Sequence, residues 1–101
     1  ESNQDYSTFH ALKAPTLDGG VFIQKTASGF DLSWRTATGE VDYYELWRST
    51  TEGVTGSRIY SGNSTNTRDN DVSEGTTYYY TAKACNDAGC DASSQHYSLF
   101  D

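Results

Sequence analysis

The residue types able to do chemistry are few in this sequence and stand apart from one another. His10 and His96 are its only histidines, and no spacing ties either to a serine, cysteine or aspartate as a nucleophile, base and orienting acid would be tied. The acidic pairs Glu40 with Asp42 and Asp71 with Glu74 fall among turn residues, where carboxylates serve solubility. Asp69-Asn70-Asp71 clusters hard oxygens that suit calcium, but it lacks the spaced ligands and bidentate glutamate of a calcium loop. Asx-turn hydrogen bonding alone accounts for such residues. We therefore expect no catalytic residue, no metal site and no cofactor. Asn63-Ser64-Thr65 has the acceptor pattern for N-linked glycosylation and is expected at a loop.

The elements that must position these residues are strands. Phe30-Asp-Leu32-Ser-Trp34 alternates apolar and polar residues strictly, which is the signature of a half-buried strand. Val41 to Ser49 alternates on both of its faces, with Tyr44, Leu46 and the stem of Arg48 on one and Tyr43, Glu45 and Trp47 on the other. Thr76 to Asn86 repeats the pattern: Tyr78, Tyr80, Ala82 and Ala84 share one face, and Tyr79, Thr81, Lys83 and Cys85 the other. Shorter strands are expected over Val21 to Thr26, Arg58 to Tyr60 and Ser64 to Thr67. A single final strand is expected from Cys90 to Phe100, after the four-residue turn Asn86 to Gly89. About seven short strands with turns between them predict a seven-stranded antiparallel β-sandwich of the all-β class.

Composition narrows the function. The chain has 101 residues, and its 14 acidic side chains outnumber 7 basic ones for a net charge of −7. The cations are scattered singly, which opposes binding to nucleic acid or anionic membrane. No run approaches the roughly 20 apolar residues of a bilayer-spanning helix, so membrane insertion is not expected. Residues 1–13 show no sustained periodicity beyond Tyr6, Phe9 and Leu12 at a three-residue spacing, and Ala14-Pro15 marks a boundary. We read residues 1–13 as a linker or docking leader and 14–101 as the folded domain.

From residue 14 onward the chain resembles a fibronectin type III domain. The resemblance rests on Phe30-x-Leu32-x-Trp34, on Tyr44-x-Leu46-x-Arg48, and on Val72-x-x-Gly75-Thr76-x-Tyr78-x-Tyr80-x-Ala82-x-Ala84-x-Asn86-x-x-Gly89. It implies that Trp34 is the central core indole and that Tyr78 is a tyrosine corner, with its ring buried and its hydroxyl bonded to backbone just upstream. Leu46 and Tyr80 join them in the expected core. Glu74 and Ala82 depart from the family's commoner Pro and Val. The stretch Ala84-Cys-Asn-x-Ala-Gly-Cys90 is similar to accessory modules of secreted bacterial enzymes.

Cys85 and Cys90 flank the last turn as near-opposite neighbours, within reach of a disulfide. A lone C-x4-C lacks the second ligand pair of a structural zinc site. An oxidised pair implies a secreted, periplasmic or surface setting, whereas a reduced pair is simply two thiols at a loop. The expected function is a non-catalytic spacer or protein-interaction module whose partners are neighbouring domains of a larger chain. The alternative is a carbohydrate-binding accessory module: Tyr43, Trp47 and Tyr79 would form an outward aromatic row for sugar rings, and Lys83 would lie beside it to bond hydroxyls. Against that stands cross-strand packing, which places aromatics and long charged side chains on such a face for stability alone.

Overall fold

The computed structural model describes residues 13–101, so the leader residues Tyr6, Phe9, His10 and Leu12 lie outside the described residues. Eight strands follow in chain order: β1 Phe22–Lys25, β2 Phe30–Ser33, β3 Tyr43–Ser49, β4 Ser57–Gly62, β5 Asn66–Asp69, β6 Thr76–Asn86, β7 Gly89–Ala92 and β8 His96–Phe100. They form two antiparallel sheets. One has the order β1-β2-β5; the other has the order β4-β3-β6-β7, with β8 also paired to β6.

The expected single final strand is two strands. Strand β6 is long enough to take both on one edge: β7 pairs with residues 83–86 and β8 with residues 76–80. Between them Ser93 occupies the backbone of β6 with both of its polar groups. Its N–H donates to the Ala82 carbonyl at 2.8 Å and its hydroxyl accepts from the Ala82 N–H at 2.9 Å. A side chain standing in for a backbone partner leaves the ladder out of step, and Ser94 turns instead to the Gly19 carbonyl at 2.8 Å.

The inward faces follow the alternation. Phe30 and Leu32 of β2, Leu46 of β3 and Tyr80, Ala82 and Ala84 of β6 are sealed from solvent, and Trp34, Tyr44, Tyr78 and Phe100 are nearly so. Together they make one core between the sheets. Its two halves differ. Trp34 packs on Tyr44 and Tyr60 with ring centroids 6.2 and 6.0 Å away. Phe30 meets Tyr78, Tyr80 and Phe100 edge-on at 5.4 to 6.4 Å. The Tyr78 hydroxyl accepts a hydrogen bond from the Ser73 N–H at 2.8 Å, which is the tyrosine-corner geometry.

Candidate functional site

The outward face of the five-stranded sheet carries the residues picked out for sugar stacking. Cross-strand register sets Tyr43 opposite Cys85, Glu45 opposite Lys83, Trp47 opposite Thr81 and Ser49 opposite Tyr79. Their chemistry is turned toward one another. The Trp47 indole N–H donates to a Glu45 oxygen at 2.9 Å, and the Lys83 ammonium sits 4.6 Å from the Trp47 ring centroid. Glu45 is nearly buried, and its second oxygen accepts from Arg58 at 3.2 Å. A cation over the ring and a carboxylate on its N–H occupy the groups that a sugar would need.

The row is also interrupted. Gln95, in the break between β7 and β8, accepts from the Gly53 N–H at 2.8 Å and donates to the Val54 carbonyl at 3.0 Å. Gly53 and Val54 belong to the loop joining β3 to β4, so the Gln95 side chain ties this loop to the β7–β8 side of the sheet. Gly53 adopts the left-handed backbone, φ +81°, that glycine tolerates. Thr81 is outward-facing yet nearly buried. Tyr43 is exposed, while Tyr79 is only half-buried and lies against the largely exposed Tyr97 with ring centroids 5.4 Å apart. Sequence reading missed this strap, because Gln95 and Gly53 are 42 residues apart and no pattern links them.

A second polar cluster faces inward: the sequence puts the Arg48 stem and Tyr80 on inward faces, but Asp69, expected in a turn, ends strand β5 and joins them. Asp69 is 5% exposed; its carboxylate accepts from the Arg48 guanidinium at 2.9 and 3.0 Å and from the Tyr80 hydroxyl at 2.7 Å. It also accepts from the Asp71 N–H at 3.1 Å, and Arg48 donates onward to the Asp71 carbonyl at 2.8 Å. Asp69 is therefore the counter-ion of a half-buried arginine, and not an open oxygen ligand of an Asp-Asn-Asp cation site. Burial, then the hydrogen bond to the anionic carboxylate, push the Tyr80 phenol far above its ordinary range. Burial pulls Arg48 down, but the hydrogen bond and charge of Asp69 outweigh it and hold the guanidinium above its usual value.

Cys85 and Cys90 are joined in a disulfide across the β6–β7 hairpin, with Cα atoms 4.0 Å apart. A Glu45 oxygen lies within 4.8 Å of both sulfurs. The two sulfurs are bonded to each other, so they cannot supply the thiolates that would make this a metal donor set. His96 is exposed with Nδ1 3.2 Å from the Val21 carbonyl, and no nucleophile is brought to it among the described residues. Glu40, Asp42, Asp71 and Glu74 are exposed loop carboxylates, and Asn63 is exposed between β4 and β5.

Two antiparallel sheets of three and five strands, closed over a core of Trp34, Tyr78 and Tyr80, define a β-sandwich of the immunoglobulin-like class. The chain belongs to the fibronectin type III family, since the fibronectin type III domain model matches residues 13–99. Among solved structures it is similar to a Fn3-like protein from Clostridium thermocellum, with 29% identity and a TM-score of 0.74 over 88% of this chain and 96% of that one. It also shares its fold with part of the pectate lyase PelI from Erwinia chrysanthemi, solved with tetragalacturonic acid. That match has 19% identity and a TM-score of 0.70, and covers 84% of this chain but 28% of the lyase. A structure of titin kinase and its flanking domains matches at 15% identity and a TM-score of 0.70, over 91% of this chain and 18% of that one. Among curated proteins, none matches this sequence.

Proposed function

We propose that the chain is a non-catalytic module that holds neighbouring domains of a larger secreted or cell-surface protein at a set distance and orientation. Residues 1–13 serve as its linker and 14–101 as its rigid body. The observation that carries this reading is where the backbone comes in and goes out. The Asn86 amide donates to the Lys13 carbonyl at 2.9 Å, which fixes the incoming chain at one end of β6. The Gly75 N–H donates to the Phe100 carbonyl at 2.7 Å, which fixes the outgoing chain at the other. The ten residue steps of β6 from Thr76, the register partner of Phe100, to Asn86 span about 33 Å at a strand's rise of about 3.3 Å per residue. Similar folds that form 28% and 18% of longer chains accord with modular use, and the disulfide accords with an oxidising compartment.

The carbohydrate-binding alternative built on Tyr43, Trp47 and Tyr79 has less support, because Lys83 and Glu45 engage Trp47 from within the chain. The test of the spacer is a distance. Dyes attached at residues 13 and 101 by non-cysteine chemistry should report one narrow separation centred near 33 Å, unchanged when folded domains are fused at both ends. A broad distribution, or ends that lie side by side, would sink the reading.

A further inference from the structure

We infer that the outward face of the three-stranded sheet, with Phe22 at the end of its edge strand β1, is a binding surface for a neutral oligosaccharide. Register aligns two rows across β1, β2 and β5. Phe22, Ser33 and Asn66 stand side by side, and next to them Gln24, Asp31 and Arg68. The inward partners Ile23, Leu32 and Thr67 are the more buried ones, so all six named side chains point away from the core. They line an open concavity of about 600 Å³. Its footprint is about 10 Å across three strands and about 7 Å along them, the size of a disaccharide. A second concavity of about 350 Å³ adjoins it around the β1 edge, shares Phe22, and is flanked by Gln95, His96 and Tyr97.

The lining selects the ligand class. Phe22 is 54% exposed, an aromatic surface for the apolar face of a pyranose ring, and Tyr97 offers a second at 66%. Across the face from Phe22 stand the Ser33 hydroxyl, the Gln24 and Asn66 amides, the Asp31 carboxylate and the Arg68 guanidinium, groups that donate to and accept from vicinal hydroxyls. Arg68 donates to Asp31 at 2.7 Å, so the two exposed charges offset one another. That pairing and the net charge of −7 oppose a polyanion such as a uronate polymer. A protein partner fits less well, since the core of a protein interface needs several apolar anchors, and among the described residues Phe22 is the only exposed large apolar side chain lining the first concavity.

The test is a heteronuclear NMR titration of the whole chain with cellohexaose, xylohexaose and chitohexaose. We expect shifts for at least one sugar centred on residues 22–24, 31–33 and 66–68. Phe22→Ala should weaken the affinity about tenfold, while Tyr43→Ala on the other sheet leaves it unchanged. The paired change Gln24→Ala with Asn66→Ala, both exposed, gives the same loss without touching the core. Thermal melts of each variant separate lost binding from lost fold. The inference is overturned if no sugar shifts these amides at millimolar concentration, or if the shifts centre on Tyr43 and Trp47. Self-association by sedimentation that Phe22→Ala abolishes overturns it too, because the face would then be a protein contact. The end-to-end distance of the spacer is measured separately and is unaffected by any of these results.

Discussion

Strand β6 carries tyrosines on both faces and treats them in opposite ways. Tyr80 is sealed inside with its hydroxyl on Asp69, and Tyr78 is nearly sealed with its hydroxyl on the Ser73 backbone. Tyr79, between them in sequence, faces out and rests on Tyr97, which is itself two-thirds exposed. Residue type is the same in all three, so the difference comes from strand parity and from what waits for the hydroxyl. A buried phenol is tolerated because its polar end is bonded, and its value to the fold then depends on that bond. An outward ring contributes far less to stability.

The sharpest way to break this contrast is to remove the acceptor shared by the inward cluster. Asp69→Ala strands the Arg48 charge and the Tyr80 hydroxyl together and should cost about 3–5 kcal/mol in urea denaturation, enough to leave a domain of this size marginal. Alkaline pH attacks the same site more gently. Folding raises the Tyr80 phenol above the unfolded value of about 10, so its stabilising effect is complete below that pH. Above it the unfolded chain loses a proton that the folded chain keeps, and stability falls by up to about 1.4 kcal/mol per pH unit. Tyr80→Phe should flatten this alkaline limb relative to the parent in melts from pH 9 to 12.

Smaller effects sharpen the comparison from the outer side. Replacing Cys85 and Cys90 by serine opens a short ring and should cost about 2 kcal/mol, read as a shift in the denaturation midpoint at unchanged slope. Tyr78→Phe removes one part-buried hydrogen bond and should cost about 1 kcal/mol. Tyr97→Ala should change stability by less than about 0.5 kcal/mol. A large loss for Tyr97→Ala would erase the distinction between the two faces.

Much of this was legible from alternation. Apolar residues every second position from Phe30 to Trp34 and from Tyr78 to Ala84 put the correct side chains in the core, because a strand has only two faces to assign. What alternation could not supply were partners distant in sequence. Arg48 was read as an apolar stem on an inward face, and nothing local could show that Asp69, 21 residues on, would meet its charge. The break at Ser93 was hidden because a serine side chain imitates a backbone acceptor without altering the pattern around it. The row of Tyr43, Trp47 and Tyr79 was found on its face, but the lysine lying over Trp47 and the loop strapped by Gln95 come from tertiary packing. Phe22 stayed inconspicuous because its strand alternates only loosely, and the row it forms with Ser33 and Asn66 exists only once three strands are aligned.

The points where the backbone enters and leaves the sandwich bear on tension. The outgoing chain is drawn through β8, whose five antiparallel pairs with β6 run along the line joining entry and exit, and the incoming chain leads into β1, which pairs antiparallel with β2. Stretching the domain between these two points would therefore load the hydrogen bonds of each terminal strand in shear, all at once, where an unzipping geometry would break them singly. Such a sandwich yields late to a pull, whatever it binds.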